Sequence, residues 1–249
     1  MGIRDTIAQK ENAIFGVDTE TYNTPSYGLK SIQVYGINTQ LYLTVDDWDK
    51  PDSDIRYSIS KQFVDWLDNL QCNCTLAFFN INYDFSQFAY YLICQSDYVY
   101  VDHETRLTRH QIRVLESDRQ LYKVELVNAN GKHIRMVDIG NFLTSTTLNK
   151  ACKDWIGKEK VAIESKDFIK QAPTEKEKEY ALEDAKLTYE LYSELVKVGV
   201  IEGRTVTIAG RTIKHFKDYL KSEWGLTFER WAWNTDDPEL IEEYSLTAE

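Results

Sequence analysis

The sequence predicts an α/β layer fold, a mixed central sheet flanked by helices and followed by a helical C-terminal appendage. Three observations predict it. Short apolar or alternating runs recur through the first half of the chain, as buried and half-buried strands do. Helical spacing appears between those runs and dominates after them. Strands first, with helices around and behind them, form the element pattern of a layered α/β domain. A length of 249 residues suits one large domain with a sizeable appendage.

Ala13 to Asp18 is a short apolar run that predicts a buried strand. Ser31 to Ile37 and Gln40 to Val45 alternate as the next two strands, with Asn38-Thr39 as the turn between them. Ile59, Phe63, Trp66, Leu67 and Leu70 share one side of a helix over Ser58 to Leu70. Thr75 to Phe79 is another buried strand, in which Phe78 belongs to the core and Phe79 points to the opposite face. Tyr83 to Ile93 follows as a helix, and His110 to Leu115 and Gln120 to Val127 as strands. Asn130-Gly131 signals a hairpin before the strand Ile134 to Asp138.

Thr147 to Trp155 reads as helical, and a long helix runs from Thr174 to Lys197. Thr174 is its cap, and Glu177 completes a capping box. Gly199 to Gly203 marks the boundary between a main domain, 1–200, and a C-terminal helical segment, 201–249. That segment holds an amphipathic stretch, Ile208 to Leu220, then the aromatics Trp224, Phe228, Trp231 and Trp233.

Composition narrows the function. A net charge of −11 argues against a broad basic face for duplex DNA, but leaves room for an acidic metal site. No run approaches the roughly 20 apolar residues of a membrane span. Met1 to Lys10 lacks the apolar core of a signal peptide, so a cytoplasmic protein with no membrane partner is expected. Cys72, Cys74, Cys94 and Cys152, with four scattered histidines, lack structural-zinc spacing and read as reduced thiols.

Three segments concentrate chemistry. Asp18-Thr19-Glu20-Thr21 ends the first strand, where residues two apart share a face and Asp18 and Glu20 can address one ion. Asn80-Ile81-Asn82-Tyr83-Asp84 lies at a strand-to-helix junction. In Tyr180-Ala181-Leu182-Glu183-Asp184, the spacing of four puts Tyr180 and Asp184 on one helix face. Each pattern alone is common, and a strand-ending aspartate is often only a cap. Their joint occurrence, in this order, is far more specific.

Asp-x-Glu, Asn-x-x-Tyr-Asp and Tyr-x-x-x-Asp, in this order and approximate spacing, resemble the exonuclease motifs of family B DNA polymerases. The short separation of the first two is most similar to the protein-primed branch of phages, other viruses and linear plasmids. Lys160-Val161-Ala162-Ile163 resembles that branch's lysine motif. The resemblance departs where the family's Ser/Thr-Leu DNA contact is replaced by Ile139-Gly140. A further departure is Phe79, where some members carry histidine.

The resemblance implies an RNase H-like (DnaQ-like) exonuclease fold and a 3′–5′ exonuclease that proofreads single-stranded DNA ends. By it, Asp18 bridges two divalent cations, Mg²⁺ or Mn²⁺, and Glu20 and Asp184 hold the one carrying the attacking water. Asp84 holds the second. Tyr180 orients the water, and Lys160 contacts the scissile phosphate or positions Tyr180. Thr21, Phe79, Asn80 and Tyr83 hold the DNA 3′ end. The polymerase-metal aspartate pairs and the Tyr-x-Gly-Gly junction have no match, so no polymerase activity is expected from this chain alone. The resemblance makes a polymerase-body fragment or subunit and a terminal protein the expected partners, and a host's cytoplasm the location if the source is viral. Two further classes stay open: a stand-alone DnaQ-like exonuclease acting on DNA or RNA, and a non-catalytic replication-complex subunit.

Overall fold

The computed structural model describes residues 13–102, 105–117, 120–143, 146–160, 168–202 and 207–224. They fall into two compact units, Met1–Val206 and Thr207–Glu249. In the first unit the strands are β1 (Ala13–Tyr22), β2 (Gly28–Gly36), β3 (Thr39–Leu43), β4 (Cys74–Phe78), β5 (Val99–Tyr100), β6 (Gln111–Ser117), β7 (Gln120–Val127) and β8 (His133–Asp138). Its helices are α1 (Asp52–Asn69), α2 (Ile81–Cys94), α3 (Leu148–Ile156) and α4 (Glu175–Lys197). The second unit contributes α5 (Ile208–Trp224). Phe228, Trp231 and Trp233 lie outside the described residues.

All eight strands form one sheet in the order β3-β2-β1-β4-β8-β7-β6-β5. β1 runs antiparallel to β2 but parallel to β4, and β4 parallel to β8. The sheet is therefore mixed, with β1, β4 and β8 at its centre. Alternation along these strands divides the core in two. Phe15, Val17, Leu76 and Phe78 face α1 and α2, meeting Ile59, Phe63, Leu67, Phe88 and Leu92. Ala77 and Val137 face the other way, toward Ala151 of α3 and Leu187, Leu191 and Leu195 of α4. Each fully buried Val, Leu, Ile or Phe among them contributes about 1.5–3 kcal/mol.

Two local readings change. Asp52-Ser53-Asp54 reads from sequence as a solvated loop after Pro51, but it forms the first turn of α1. The two carboxylates sit where the helix dipole favours negative charge. Asp52 is also tied to the fold, accepting from the Tyr22 hydroxyl at 2.7 Å and pairing with Lys170 at 3.0 Å. The turn between β2 and β3 falls on Ile37-Asn38, one residue earlier than the pattern suggests.

Candidate active site

The site forms where β1 meets α4, and Gly16 sets how close they come. A β-carbon built there would lie 2.1 Å from the Ala185 carbonyl oxygen and 2.4 Å from the Tyr189 nitrogen. Only glycine lets the helix backbone rest directly on the strand. Asp18 and Glu20 follow on the same face by alternation, and Asp184 precedes Ala185, so the three carboxylates converge. Their ligand atoms lie within 4.8 Å of one another. Asp18 and Glu20 are partly exposed, while Asp184 is 2% exposed.

Lys160 joins this cluster, its Nζ lying 2.5 Å from Asp184 Oδ2 and 4.8 Å from the centroid of the Tyr180 ring. Two contacts hold the lysine there. Its backbone N–H donates to Asn149 Oδ1 of α3 at 2.7 Å, and nearby Lys158 pairs with Glu190 of α4 at 2.6 Å. Of the lysine motif only Lys160 is described; Val161, Ala162 and Ile163 are not.

Electrostatics here are dominated by burial, with crowding of like charges added to it. Burial, then Glu20, Asp84 and Asp184, push Asp18 well above the usual carboxylate range. Glu20 rises to about 8 through burial and the Asp184 charge. Burial also raises Asp184, even with Lys160 against it. Burial opposes the Lys160 ammonium, but the charge and hydrogen bond of Asp184, with those of Tyr180, together outweigh it and hold Lys160 above its ordinary value. Tyr180 is pushed up to about 12 by burial, so it is a poor base near neutrality.

Asp84 stands apart from these three. It enters from α2, which packs on the opposite sheet face, and its Oδ1 accepts from the Thr19 hydroxyl at 2.6 Å. Thr19 points to that face because it alternates with Asp18 and Glu20. Burial lifts Asp84 to about 7, against the lowering effect of the Thr19 bond.

The turn into α2 is organised by a residue that no sequence motif marked. Asp138, at the end of β8, is 4% exposed. Its carboxylate accepts from the backbone N–H groups of Asn80 (3.1 Å), Ile81 (3.2 Å) and Gly140 (2.7 Å). It thus caps α2 from a distant strand, in place of the Asn80 side chain, which makes no capping bond. Asn80 itself is left-handed, with φ 82°, a conformation asparagine tolerates. The signal for Asp138 was an aspartate ending a central parallel strand.

The other predicted DNA contacts lie around this turn. Tyr83 is 39% exposed, and its hydroxyl lies 2.5 Å from Thr21 Oγ1. Phe78 is fully buried, whereas Phe79 is half-buried and lines a cavity of about 430 Å³ with Asn80, Tyr122, Asp138 and Leu143.

The donor set suits a hard divalent cation such as Mg²⁺ or Mn²⁺, being all carboxylate oxygen. Asp184 Oδ1 is buried with no hydrogen-bond partner, an acceptor that a cation would satisfy. A cation would also relieve the mutual repulsion of the three charges.

This sheet and its flanking helices give the domain an RNase H-like α/β fold. It is similar to Phi29 DNA polymerase complexed with single-stranded DNA, with a TM-score of 0.63 and 16% identity over 85% of this chain and 36% of that one. The same polymerase with primer-template DNA and incoming nucleotides gives 0.61 and 15%, over 85% and 35%. The Aedes aegypti Nibbler EXO domain shares a TM-score of only 0.44 at 12% identity, over 76% of this chain and 82% of that one. This chain spans about a third of the polymerase chains it matches. No protein-family model matches the sequence, and no curated protein does.

Proposed function

We propose that this chain is a divalent-cation-dependent 3′–5′ exonuclease acting on single-stranded DNA ends, the proofreading part of a DNA polymerase of the protein-primed family B type. The observation that carries the reading is the convergence of Asp18, Glu20 and Asp184 within 4.8 Å, beside Lys160 and Tyr180. These are the residues that the three motifs and the lysine motif single out.

Asp18, Glu20 and Asp184 would hold divalent cation, with Asp84 at the edge of the same field. Such a cation supplies a hydroxide-like nucleophile near neutral pH and neutralises charge on the leaving oxygen. The chain's own groups do the rest. Lys160 offers a fixed positive charge for the scissile phosphate, held in place by Asp184 and Asn149. Tyr180 orients water through its hydroxyl and keeps its proton. Thr21 and Tyr83 grip the terminal nucleotide from the opposite wall. A frayed, mismatched end enters such a site at the lowest unpairing cost, so preference for single strands yields proofreading without base recognition.

Incubation of a 5′-labelled single strand with Mg²⁺ should give a ladder shortening from the 3′ end, with release of nucleoside 5′-monophosphates. Paired ends should react more slowly, and EDTA should stop the reaction. Rapid cutting of a circular single strand, or full activity in EDTA, would overturn the assignment.

A further inference from the structure

A cavity of about 550 Å³ opens between α1, α2 and the start of β2, on the side of the sheet away from α4. That volume is of the size used for small-molecule groups. Four tyrosines line it: Tyr27, Tyr57, Tyr90 and Tyr91. Three of them stay exposed, Tyr27 at 51%, Tyr57 at 46% and Tyr90 at 67%. The Tyr57 and Tyr91 rings meet edge to face at 4.9 Å.

Two lining side chains carry unmet hydrogen-bonding capacity. Gln87 is 4% exposed and Ser60 is 1% exposed, yet Gln87 Oε1 and Ser60 Oγ are buried without a partner. The amide nitrogen of Gln87 is committed, donating to the Tyr27 hydroxyl at 3.2 Å and to Ser86 Oγ at 3.0 Å. Its oxygen is therefore free to accept. Buried polar atoms in native proteins are nearly always paired, so this pair points to a ligand bearing N–H groups.

A chain of hydrogen bonds links the cavity wall to the candidate active site. Gln87 bonds Tyr27, the Tyr27 hydroxyl donates to that of Tyr83 at 3.1 Å, and Tyr83 meets Thr21 at 2.5 Å, next to Glu20. Charge distinguishes which part of a nucleotide enters. Asp52 and Asp54 line the cavity and repel phosphate, although Lys170 neutralises Asp52 at 3.0 Å. Arg56 also lines it and makes no hydrogen bond or ion pair among the described residues, leaving a guanidinium for a phosphate at the rim.

We propose that this tyrosine-lined cavity seats a nucleobase of the same single strand whose 3′ end lies at Asp18, Glu20 and Asp184. The base lies upstream of the cleaved bond, stacked on Tyr57 and Tyr90, and donates an N–H to Gln87 Oε1. Each of the four bases carries such an N–H, so the seat is sequence-tolerant, as stacking platforms are. The inference rests on the exonuclease reading, and the experiment separates the two.

Deoxyoligonucleotides of increasing length, and the p-nitrophenyl ester of thymidine 5′-monophosphate, are compared as substrates in Mg²⁺. KM should fall once the strand is long enough to reach the cavity. In a Tyr57→Ala, Tyr90→Ala double variant that fall should disappear, raising KM for long strands about tenfold. Hydrolysis of the small ester should not change. Tyr57→Phe with Tyr90→Phe keeps the ring faces and should restore the fall, which separates stacking from any loss of fold. Equal KM for wild type and the alanine variant at every length would overturn the proposal. Should the wild type hydrolyse neither substrate, the exonuclease reading fails, and the cavity is judged by anisotropy with labelled dT10 in EDTA. Binding weakened by the alanine pair and restored by the phenylalanine pair supports the seat; unchanged binding overturns it.

Discussion

Helix α4 buries two carboxylates, each against a lysine, and they behave in opposite ways. Glu177 is 4% exposed and lies 2.5 Å from Lys30; Asp184 is 2% exposed and lies 2.5 Å from Lys160. Burial works against both charges. Glu177 is nonetheless lowered, because Lys30 and the backbone N–H of Thr174 both donate to it. Asp184 is raised, because Lys160 and Tyr180 together do not offset burial and one of its oxygens has no partner. The difference lies in whether both oxygens of the carboxylate are supplied. A fully supplied carboxylate at the start of α4 fastens the helix, while an under-supplied one two turns later, beside Asp18 and Glu20, invites a cation.

Lys30 extends the first role. It is fully buried in β2, donates also to the Ile169 carbonyl at 3.1 Å, and lies 5.5 Å from the Phe168 ring centroid. One ammonium thus ties β2, the chain entering α4 and the helix cap together.

The comparison breaks most visibly at the under-supplied end. Asp18→Ala or Asp184→Ala should lower the exonuclease rate on the order of a thousandfold or more, while thermal stability in EDTA holds or rises. Retention of half the wild-type rate by either variant would remove these residues from the proposed cation site. At the supplied end, Lys30→Met should cost about 3–5 kcal/mol of stability by leaving Glu177 buried without its cation. Adding Glu177→Gln should recover much of that loss in urea unfolding. A neutral Lys30→Met would mean that the pair does not fasten α4.

The pH response should differ in sign between the two ends. Glu20 is raised from 4.5 to about 8 and Asp84 from 3.8 to about 7. Without metal the folded protein therefore keeps protons that the unfolded chain has released. That contribution is complete at acidic pH and is lost as pH climbs toward 8. In EDTA the Tm should fall from pH 6 to pH 8.5. Saturating Mg²⁺ should reverse this, by about 2.7 kcal/mol at a hundred times Kd. Glu177, being lowered, instead contributes stability above 4.5 that is lost as pH falls through its folded value. Identical scanning fluorimetry at pH 6 and 8.5 in EDTA would contradict the raised Glu20 and Asp84.

The smallest expected effect is that of Tyr180→Phe, about tenfold in kcat, or ~1.4 kcal/mol. A loss as complete as that of Asp18→Ala would mean that orienting water is too small a role for this hydroxyl.

Local rules were enough for much of this molecule. Strand parity put Asp18 and Glu20 on one face before any fold was known, because alternation is a property of the extended backbone. The same holds for the Thr174–Glu177 capping box, in which both bonds form, and for Tyr180 and Asp184 one turn apart. These depend on neighbours a few residues away, which the sequence lists directly.

Other features depend on partners far apart in the chain. Glu177 reads as a cap, but its ion pair crosses 147 positions to Lys30, which looks from sequence like one lysine among many. Asp138 looks like a strand end until its carboxylate meets Asn80 and Ile81 nearly sixty residues earlier. Gly16 looks like a weak point in a strand until α4 lies on it. Lys160 joins the cluster only because α3 and α4 hold its loop there. Which residues share a strand or helix face is written in the local pattern, since those periods belong to the backbone. Which faces meet, and which carboxylate keeps enough donors to stay structural, was decided by long-range packing, which no local pattern encodes.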